Sequence, residues 1–382
     1  MGASTQNPSS TPASEHPWAK RLKRSRRIVS AAEGACALLL TSILALDLAS
    51  RWSAQLTENI SSIWLRAFFY CGALAIVYGG ISFPFSFIRG YIIEKHFGLS
   101  TQAISSWLAD QVKASLLGIV LGSFVLLGLM ASLLWGQALW WLVAASGATL
   151  FGILLTRLTP QVILPLFFKL KPIDSHELNQ RFKDLAQRTN TPVLGIFEID
   201  LSKRTKAANA AVIGFGATRK AVVGDTLLSE FSADEIEFVL AHELAHHRYH
   251  DLWSGIALGS VITLVTLAVT HFAMLKLRLV FQFGFPPQPE SFDPVIFFWI
   301  AITSTIVGKI LSPISKIFSR SIETRADRFA AQATRDPSAG ARAFAKLGHQ
   351  NLAVFNPPGW EEFLFYTHPS IQRRIDTLNN SR

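Results

Sequence analysis

Residues 114–156 contain no charged side chain, and no other feature limits the fold of this chain as strongly. The stretch is too long for one helical crossing of a hydrocarbon core about 30 Å thick, so it predicts two spans, near 114–134 and 138–156. Another uncharged segment covers 67–88 and predicts a further span. These segments exclude a soluble protein and predict a polytopic membrane protein.

Three more apolar segments bring the predicted number of spans to six. The first covers 28–49 and follows a cluster of basic residues. A signal-peptide core is the alternative interpretation of this segment, but the tail before it is long for a signal peptide, which favours a retained span. The last two spans lie near 252–275 and 294–308, and snorkelling of Lys309 can extend the second of them.

The basic residues of the chain lie mainly at the ends of the apolar segments. Charged residues make up only 16% of the 382 residues, and the formal net charge is +10. A nucleic-acid-binding protein would carry its basic residues as a surface stripe, so this distribution favours contact with anionic lipid and predicts no nucleic-acid partner. By the positive-inside rule, the N-terminus, the region 158–250 and the C-terminus face the cytoplasm.

The stretch VLAHELAHHRYHD contains the pattern His-Glu-x-x-His at His242, Glu243 and His246. On a helix, residues four apart share one face, so both imidazoles can bind one ion. Glu243 can reach a water on that ion and act as a general base. Ser232 opens a capping box, which predicts a zinc-binding helix over 232–250. The alternative is a histidine-rich surface helix without a catalytic role.

A catalytic zinc usually takes three protein ligands and leaves one position for water. The two cysteines, Cys36 and Cys71, lie in apolar segments, so a thiolate site is excluded. His250 only continues the row formed by the first two histidines along the helix. Position 252 is Leu, whereas metzincin spacing requires His there, so that class of protease is excluded.

A glutamate on a second helix is the remaining common third ligand. The stretch KIFSRSIETRADRFAAQAT offers Glu323, and Asp327 follows one turn later as a hydrogen-bond partner for a ligating histidine. Two predicted spans lie between His246 and Glu323, so both residues return to the same side of the membrane. The alternative for Glu323 and Asp327 is an ordinary solvated helix face.

These patterns predict a mainly α fold, in which a membrane helix bundle of about six spans carries a cytoplasmic zinc-metalloprotease domain with a small β-sheet. The predicted strands of that sheet are 196–200, 209–216 and 219–223, the last two joined by a Gly-containing turn. The whole chain divides into five regions: a disordered basic N-terminal tail at 1–27, a membrane bundle at 28–157, a catalytic domain at 158–250, two further spans within 251–315 and a C-terminal catalytic portion at 316–382.

Four stretches, together with a weaker fifth, resemble one known family in their order along the chain. They are YIIEKHFGLS at 91–100, NAAVIGFGATRKAVVGDTLL at 209–228, VLAHELAHH at 239–247, IETRAD at 322–327 and, more weakly, THPSIQRRI at 367–375. The chain resembles the type 1 CAAX prenyl protease family of integral-membrane zinc metalloproteases (gluzincins), which also includes the heat-shock-associated bacterial membrane proteases.

The resemblance implies a role for each matching residue. For the metal site it implies the set already named: His242, His246 and Glu323 as ligands of one zinc ion per chain, Glu243 as base and Asp327 as the support of a ligand. Asn209 would hold the backbone of an extended substrate at an edge strand. His368 and Arg374 would stabilise the oxyanion. The alternatives are a turn residue at Asn209 and a solvated helix charge at Arg374.

The function implied is that of an endopeptidase that cuts extended peptide or protein substrates at the cytoplasmic face of the bilayer. Two substrate classes remain open: the C-terminus of a prenylated CAAX protein, and unfolded or damaged membrane protein in quality control. A non-catalytic metal-binding membrane protein is a third interpretation, against which Glu243 argues. The chain also departs from the family, because eukaryotic members have seven spans and because HRYHD replaces the family's usual aromatic continuation.

Overall fold

The long helices of the membrane part come first in the computed structural model, which describes residues 15–48, 51, 60, 62–214, 219–285, 287 and 294–380. These helices are α1 (Ala19–Ile43), α2 (Ile63–Phe87), α3 (Ile104–Gly136), α4 (Trp140–Leu158) and the short α5 (Leu164–Phe167). Helices α1 and α2 continue through π-helical turns at Leu44–Leu48 and Ile88–Ile93.

A four-stranded sheet and the helices packed on it follow. The elements are β1 (Leu170–Pro172), α6 (His176–Arg188), β2 (Ile196–Ile199), β3 (Ala210–Ile213), β4 (Lys220–Gly224), α7 (Asp225–Glu230) and α8 (Ala233–Arg248). The strand order is β1-β2-β4-β3, in which only β2 and β4 run parallel, so β3 is an edge strand. All three predicted strands are confirmed, and β1 was not predicted. The predicted turn after residue 216, together with residues 215 and 216 of the predicted strand, lies outside the described residues.

The chain ends in α9 (Asp251–Phe281), α10 (Val295–Thr334), α11 (Pro337–Gln350), α12 (Gly359–Phe365) and α13 (Ile371–Asn379). The predicted span at 294–308 and the stretch 316–334 that carries Glu323 lie on one helix, because α10 runs through both over 40 residues. The polar residues that begin near 316 mark only where this helix leaves the apolar region, and a helix need not end there.

Five helical stretches among the described residues are long and apolar enough to cross a membrane, and one of them, Ile104–Phe167, holds both α3 and α4. Gln137 has a positive φ of 44° and breaks this stretch at the predicted turn. Lys113 Nζ, near the start of α3, donates to Leu166 O beyond α4 at 3.2 Å, so the two helices form a hairpin. Each of the six predicted spans therefore falls in a helix of its own, although residue 49 lies outside the described residues.

The predicted disorder of the tail at 1–27 is wrong from Ala19 onward, where α1 begins. Leu22 is buried against Ile93, Leu99 and Leu352, which anchors the start of this helix to the protein. Residues 1–14 lie outside the described part of the chain. A basic, weakly apolar stretch is ordered here because its cations have acidic partners elsewhere in the fold, which composition alone does not reveal.

One hydrophobic core forms between the sheet, α8 and the helices at the C-terminal end of the chain. Its buried side chains include Phe182 of α6, Val223 of β4, Leu244 of α8 and Phe344 of α11. This core surrounds α8 on the sides that do not face the site, so the orientation of its histidines depends on packing along the whole helix.

Gly340 of α11 sits directly against the ring of Phe238 in α8, where a Cβ atom would overlap the ring. We expect Gly340→Ala to destabilise the protein by about 1–3 kcal/mol, because the core has no room for the added methyl group. The measurement is the thermal unfolding midpoint in detergent. Gly359→Ala is the control, since a Cβ there meets nothing within 4 Å. Equal midpoints for the two variants would contradict this packing.

Candidate active site

Helix α8 places two histidines on one face, one turn apart. The Nε2 atoms of His242 and His246 lie 3.3 Å from each other. The helix begins with the predicted capping box, in which Ser232 N donates to Glu235 Oε2 at 2.9 Å and Glu235 N donates to Ser232 Oγ at 3.4 Å. His242 is buried and His246 half-buried, so the pair opens toward a cleft on one side only.

Helix α10 brings a carboxylate to the same point. Glu323 Oε2 lies 3.2 Å from His242 Nε2, and Glu323 Oε1 lies 3.7 Å from His246 Nε2. One potential ligand atom from each of the three residues lies within 4.8 Å of the others. The structure thus brings together His242, His246 and Glu323, as the sequence analysis predicted, although two spans lie between the histidines and the glutamate.

A second carboxylate orients each imidazole from behind. Asp327 Oδ1 lies 2.9 Å from His242 Nδ1, and Asp251 Oδ2 lies 3.0 Å from His246 Nδ1. In the tautomer that binds a metal, each of these carboxylates would accept the Nδ1 proton of its histidine and leave Nε2 free to act as a ligand. Asp327 was predicted for this position, whereas Asp251 was not.

Asp251 reaches His246 because of the sharp connection between α8 and α9. His250 adopts a left-handed conformation with φ 57°, and it turns the chain so that the first residue of α9 faces back toward α8. Arg325 of α10 also contacts the Asp251 carboxylate. In the sequence, Asp251 is recognisable only as a carboxylate placed just after a histidine-rich helix. Its contact with His246 could not be predicted from that position, because the contact depends on the turn at His250.

The donor set fits a divalent metal ion. Glu323 Oε2 is buried and makes no directed hydrogen bond to any residue that the structure describes. Two imidazole nitrogens also face each other at 3.3 Å, an arrangement that a shared cation stabilises. Burial opposes protonation of His242, but the nearby carboxylates of Asp327 and Glu323 outweigh burial and raise its pKa to about 9. Protons and metal therefore compete for this side chain.

Glu243 borders a cavity of 240 Å³ that also contains the predicted substrate-binding groups. The other predicted residues that line it are Asn209, His242, His368 and Arg374. Burial raises the pKa of Glu243, and the nearby histidines only partly counter it. A carboxyl group with a raised pKa can both take and return a proton, as a general base must during peptide hydrolysis.

His368 reaches the metal site from the loop between α12 and α13. Its Nε2 lies 3.3 Å from Glu323 Oε1, and its Nδ1 lies 2.9 Å from the Thr367 hydroxyl. Burial lowers the pKa of His368, although Glu323 opposes the shift. If Nδ1 accepts from Thr367, the proton of the neutral ring is on Nε2, which then points at Glu323 Oε1 at the edge of the cavity.

Arg374 lies behind His242 and not beside it. Its guanidinium donates to Asp327 twice, from Nε at 2.8 Å and from a terminal nitrogen at 2.6 Å. The same group stacks on Phe344 with its carbon 3.7 Å from the ring centre. This bidentate pair uses two of the five N–H donors of Arg374 and supports an orienting role for it, while the oxyanion role that the resemblance implies stays a prediction.

Asn209 precedes the edge strand β3 and is exposed to the cavity. Its side-chain oxygen accepts from Ala210 N at 2.9 Å. Asn351, which the sequence did not single out, fixes the backbone just before it: Ala208 N donates to Asn351 Oδ1 at 2.9 Å, and Asn351 Nδ2 donates to Ala208 O at 3.2 Å. The sequence could not single out Asn351 as a residue of the site, because its contact with Ala208 joins segments that are far apart along the chain.

Two family models together match almost the whole chain. Residues 172–382 match the model of peptidase family M48, and residues 12–169 match the CAAX prenyl protease N-terminal model, described as five membrane helices. In the part of 12–169 that the structure describes, the chain has four long helices, α1 to α4.

Curated relatives and a solved structure agree with these matches. A CAAX prenyl protease 1 homolog of Oryza sativa subsp. japonica is 31% identical over 78% of this chain and 69% of its own length. An uncharacterized metalloprotease of Bacillus subtilis is 26% identical over 79% of this chain and 70% of its own. The crystal structure of S. mikatae Ste24p aligns with a TM-score of 0.83 at 22% identity, covering 94% of this chain and 87% of that one. The chain therefore belongs to peptidase family M48, in the group of integral-membrane CAAX prenyl proteases, and is a multi-pass membrane metalloprotease.

Proposed function

We propose that the chain is a zinc endopeptidase in which His242, His246 and Glu323 hold one zinc ion. The observation that carries this proposal is the convergence of these side chains, with a carboxylate behind each histidine and Glu243 beside them. Zinc bound there supplies a Lewis acid that polarises the attacking water and the scissile carbonyl. Two nitrogen ligands and one carboxylate are the donors that a catalytic zinc site commonly uses.

The remaining chemistry belongs to side chains of this chain. Glu243 takes a proton from the attacking water and then gives it to the leaving amine, which its raised pKa favours. His368 donates from Nε2 to the oxygen that gains negative charge. The edge strand β3, with Asn209 at its start, pairs with an extended substrate and sets the register of the scissile bond.

His368 and Arg374 are expected to differ when each is replaced. His368→Phe should lower kcat by about 10²–10³ because a donor to the oxyanion is lost, while metal affinity and KM change little. Arg374→Gln should instead weaken metal binding by about 10–100-fold, because Asp327 then no longer holds His242 in place. The measurements are steady-state kinetics and metal titration of both variants. Equal metal affinity in the two variants would contradict the orienting role of Arg374.

We propose further that the substrate is the C-terminal segment of a prenylated CAAX protein, presented at the cytoplasmic face. The rice relative, which is a CAAX prenyl protease 1 homolog, and the basic residues next to the spans support this assignment. A farnesylated CAAX peptide should be cleaved at least about tenfold more efficiently than the same peptide without the lipid, because the lipid adds apolar contact with the bundle. Comparable cleavage of both peptides and of an unfolded membrane protein would favour quality control instead.

A further inference from the structure

Helix α12, GWEEFLF, has the reverse of the polarity expected for a surface helix. Its two acidic residues, Glu361 and Glu362, are only 6% and 4% exposed. Its aromatic residues point outward instead, with Trp360 60%, Phe363 47% and Phe365 56% exposed. A short helix that buries its charges and exposes its aromatic rings is suited to an apolar surface and not to water.

The buried acids attach this helix to α1, α10 and α13. Lys23 and Arg27 of α1 both contact the Glu361 carboxylate. Arg373 donates to Glu362 Oε1 at 2.9 Å, and Arg320 of α10 donates to Glu362 O at 2.9 Å. The outward position of the aromatic rings is therefore fixed by ion pairs on the opposite side of the helix.

Contacts with α1 place this helix at the level where a membrane span begins. The Arg27 guanidinium lies over the Phe365 ring, 5.1 Å from its centre. The next residue, Ile28, is 59% exposed and is the first of the apolar segment that crosses the bilayer. Phe365 thus lies at the boundary between the basic and apolar parts of α1, the depth at which aromatic side chains favour the interface of a bilayer.

A cavity of 570 Å³ opens between the basic part of α1 and the loop before α12. Four cations of one α1 face line it, together with a single carboxylate: Lys20, Lys23, Arg24 and Arg27, with Glu361. Glu361 pairs with Lys23 and Arg27, whereas Lys20 and Arg24 are exposed on the rim, where Lys20 Nζ lies 3.7 Å from Glu15 Oε1 and the cations still outnumber the carboxylates. Burial of Leu22 on the other side of α1 holds this face rigidly in position.

We propose that this cavity binds the headgroup of an anionic phospholipid and that the aromatic side chains of α12 lie in the same leaflet beside it. The excess positive charge matches an anionic headgroup, and the exposed rings match the acyl region just below it. His368 follows Phe365 by three residues, so the lipid contact also fixes the loop that carries this histidine. This site is separate from the metal centre, and its test does not depend on the proposed substrate.

The headgroup site is tested with the full chain in detergent, titrated with phosphatidylglycerol and with phosphatidylcholine and monitored by native mass spectrometry. Lys20→Gln/Arg24→Gln removes the two rim cations without touching Glu361. We expect this variant to bind phosphatidylglycerol about 30-fold more weakly, while phosphatidylcholine binding stays unchanged. Arg21→Gln/Lys183→Gln is the matched control, since both residues are exposed and neither lines the cavity.

Three outcomes of this titration would overturn the headgroup site. The first is equal phosphatidylglycerol binding by the wild type and the rim variant. The second is an equal loss in the rim variant and the control, which would indicate attraction to net charge alone. The third is displacement of phosphatidylglycerol by inorganic phosphate at matched concentration, which would indicate a phosphate site and not a lipid site.

The position of α12 is tested by a fluorescent probe in vesicles that contain equal amounts of the two lipids. In a background of Cys36→Ser/Cys71→Ser, a probe attached through Phe363→Cys should be quenched by lipids with a spin label on the acyl chain. A probe attached through Asn379→Cys, an exposed position of α13, should not be quenched. Equal quenching at the two positions would overturn the placement of α12 in the leaflet.

Discussion

Glu243→Gln is expected to abolish peptide hydrolysis while the metal stays in place. Glutamine keeps the size of the side chain but cannot take a proton from the attacking water, and loss of a general base typically lowers kcat by about 10²–10⁴. The amide also leaves His242, His246 and Glu323 untouched, because Glu243 faces the cavity and is not among the three grouped ligand candidates. The measurement is kcat together with metal content for the purified full chain.

A matched control for this variant is Glu237→Gln, which changes a carboxylate on the same helix, α8. Glu237 pairs with Arg188 at 2.7 Å on the far side of the helix, away from the cavity. We expect that variant to keep near wild-type kcat, since a surface ion pair contributes at most about 1 kcal/mol to stability. If Glu243→Gln kept its activity, Glu243 would not be the base and the proposed chemistry would be wrong.

Glu323→Gln is expected to remove the metal, and activity with it. The carboxylate faces two imidazoles, and a neutral amide is a much weaker ligand for a divalent cation. We expect the metal affinity to fall by more than about 100-fold, beyond the about 10–100-fold range typical of residues that only orient a ligand. Isothermal titration with zinc, after removal of metal by a chelator, measures this change.

Asp251→Asn is the comparison that separates a ligand from its support. Asp251 contacts His246 only at Nδ1. Its replacement should therefore weaken zinc binding by about 10–100-fold and leave measurable activity at saturating metal. If Asp251→Asn weakened zinc binding as much as Glu323→Gln, or if Glu323→Gln bound zinc like the wild type, Glu323 would not be the third ligand.

Features that depend on local spacing could be predicted from the sequence. The capping box at Ser232 and the four-residue spacing of His242 and His246 define one helix face without any tertiary contact. The approach of Glu323 to the two histidines could also be predicted, because an even number of predicted spans between it and His246 returns both to the same side of the membrane. The long uncharged segments specified the bundle for the same reason, since each must cross a layer of known thickness.

Features that depend on contacts between distant segments could not be predicted. The ordered start of α1 depends on Glu361, more than 300 residues away along the chain, so the basic tail looked disordered on composition alone. Asp251 required the left-handed turn at His250, which is rare for a residue other than glycine. Arg374 matched a motif, but its bidentate bond to Asp327 depends on where α13 packs.

The 40-residue length of α10 makes membrane thickness part of the chemistry. Glu323 lies on this helix beyond Pro313, and Asp251 is the first residue of α9, so a proposed metal ligand and the carboxylate behind His246 both lie on helices that continue into membrane spans. A helix that is too long or too short for the local hydrocarbon layer changes its tilt, and tilt at one end of a helix about 60 Å long displaces the other end sideways. We therefore expect hydrophobic mismatch to act on the distance between Glu323 and the histidines of α8, so that activity should depend on the thickness of the membrane.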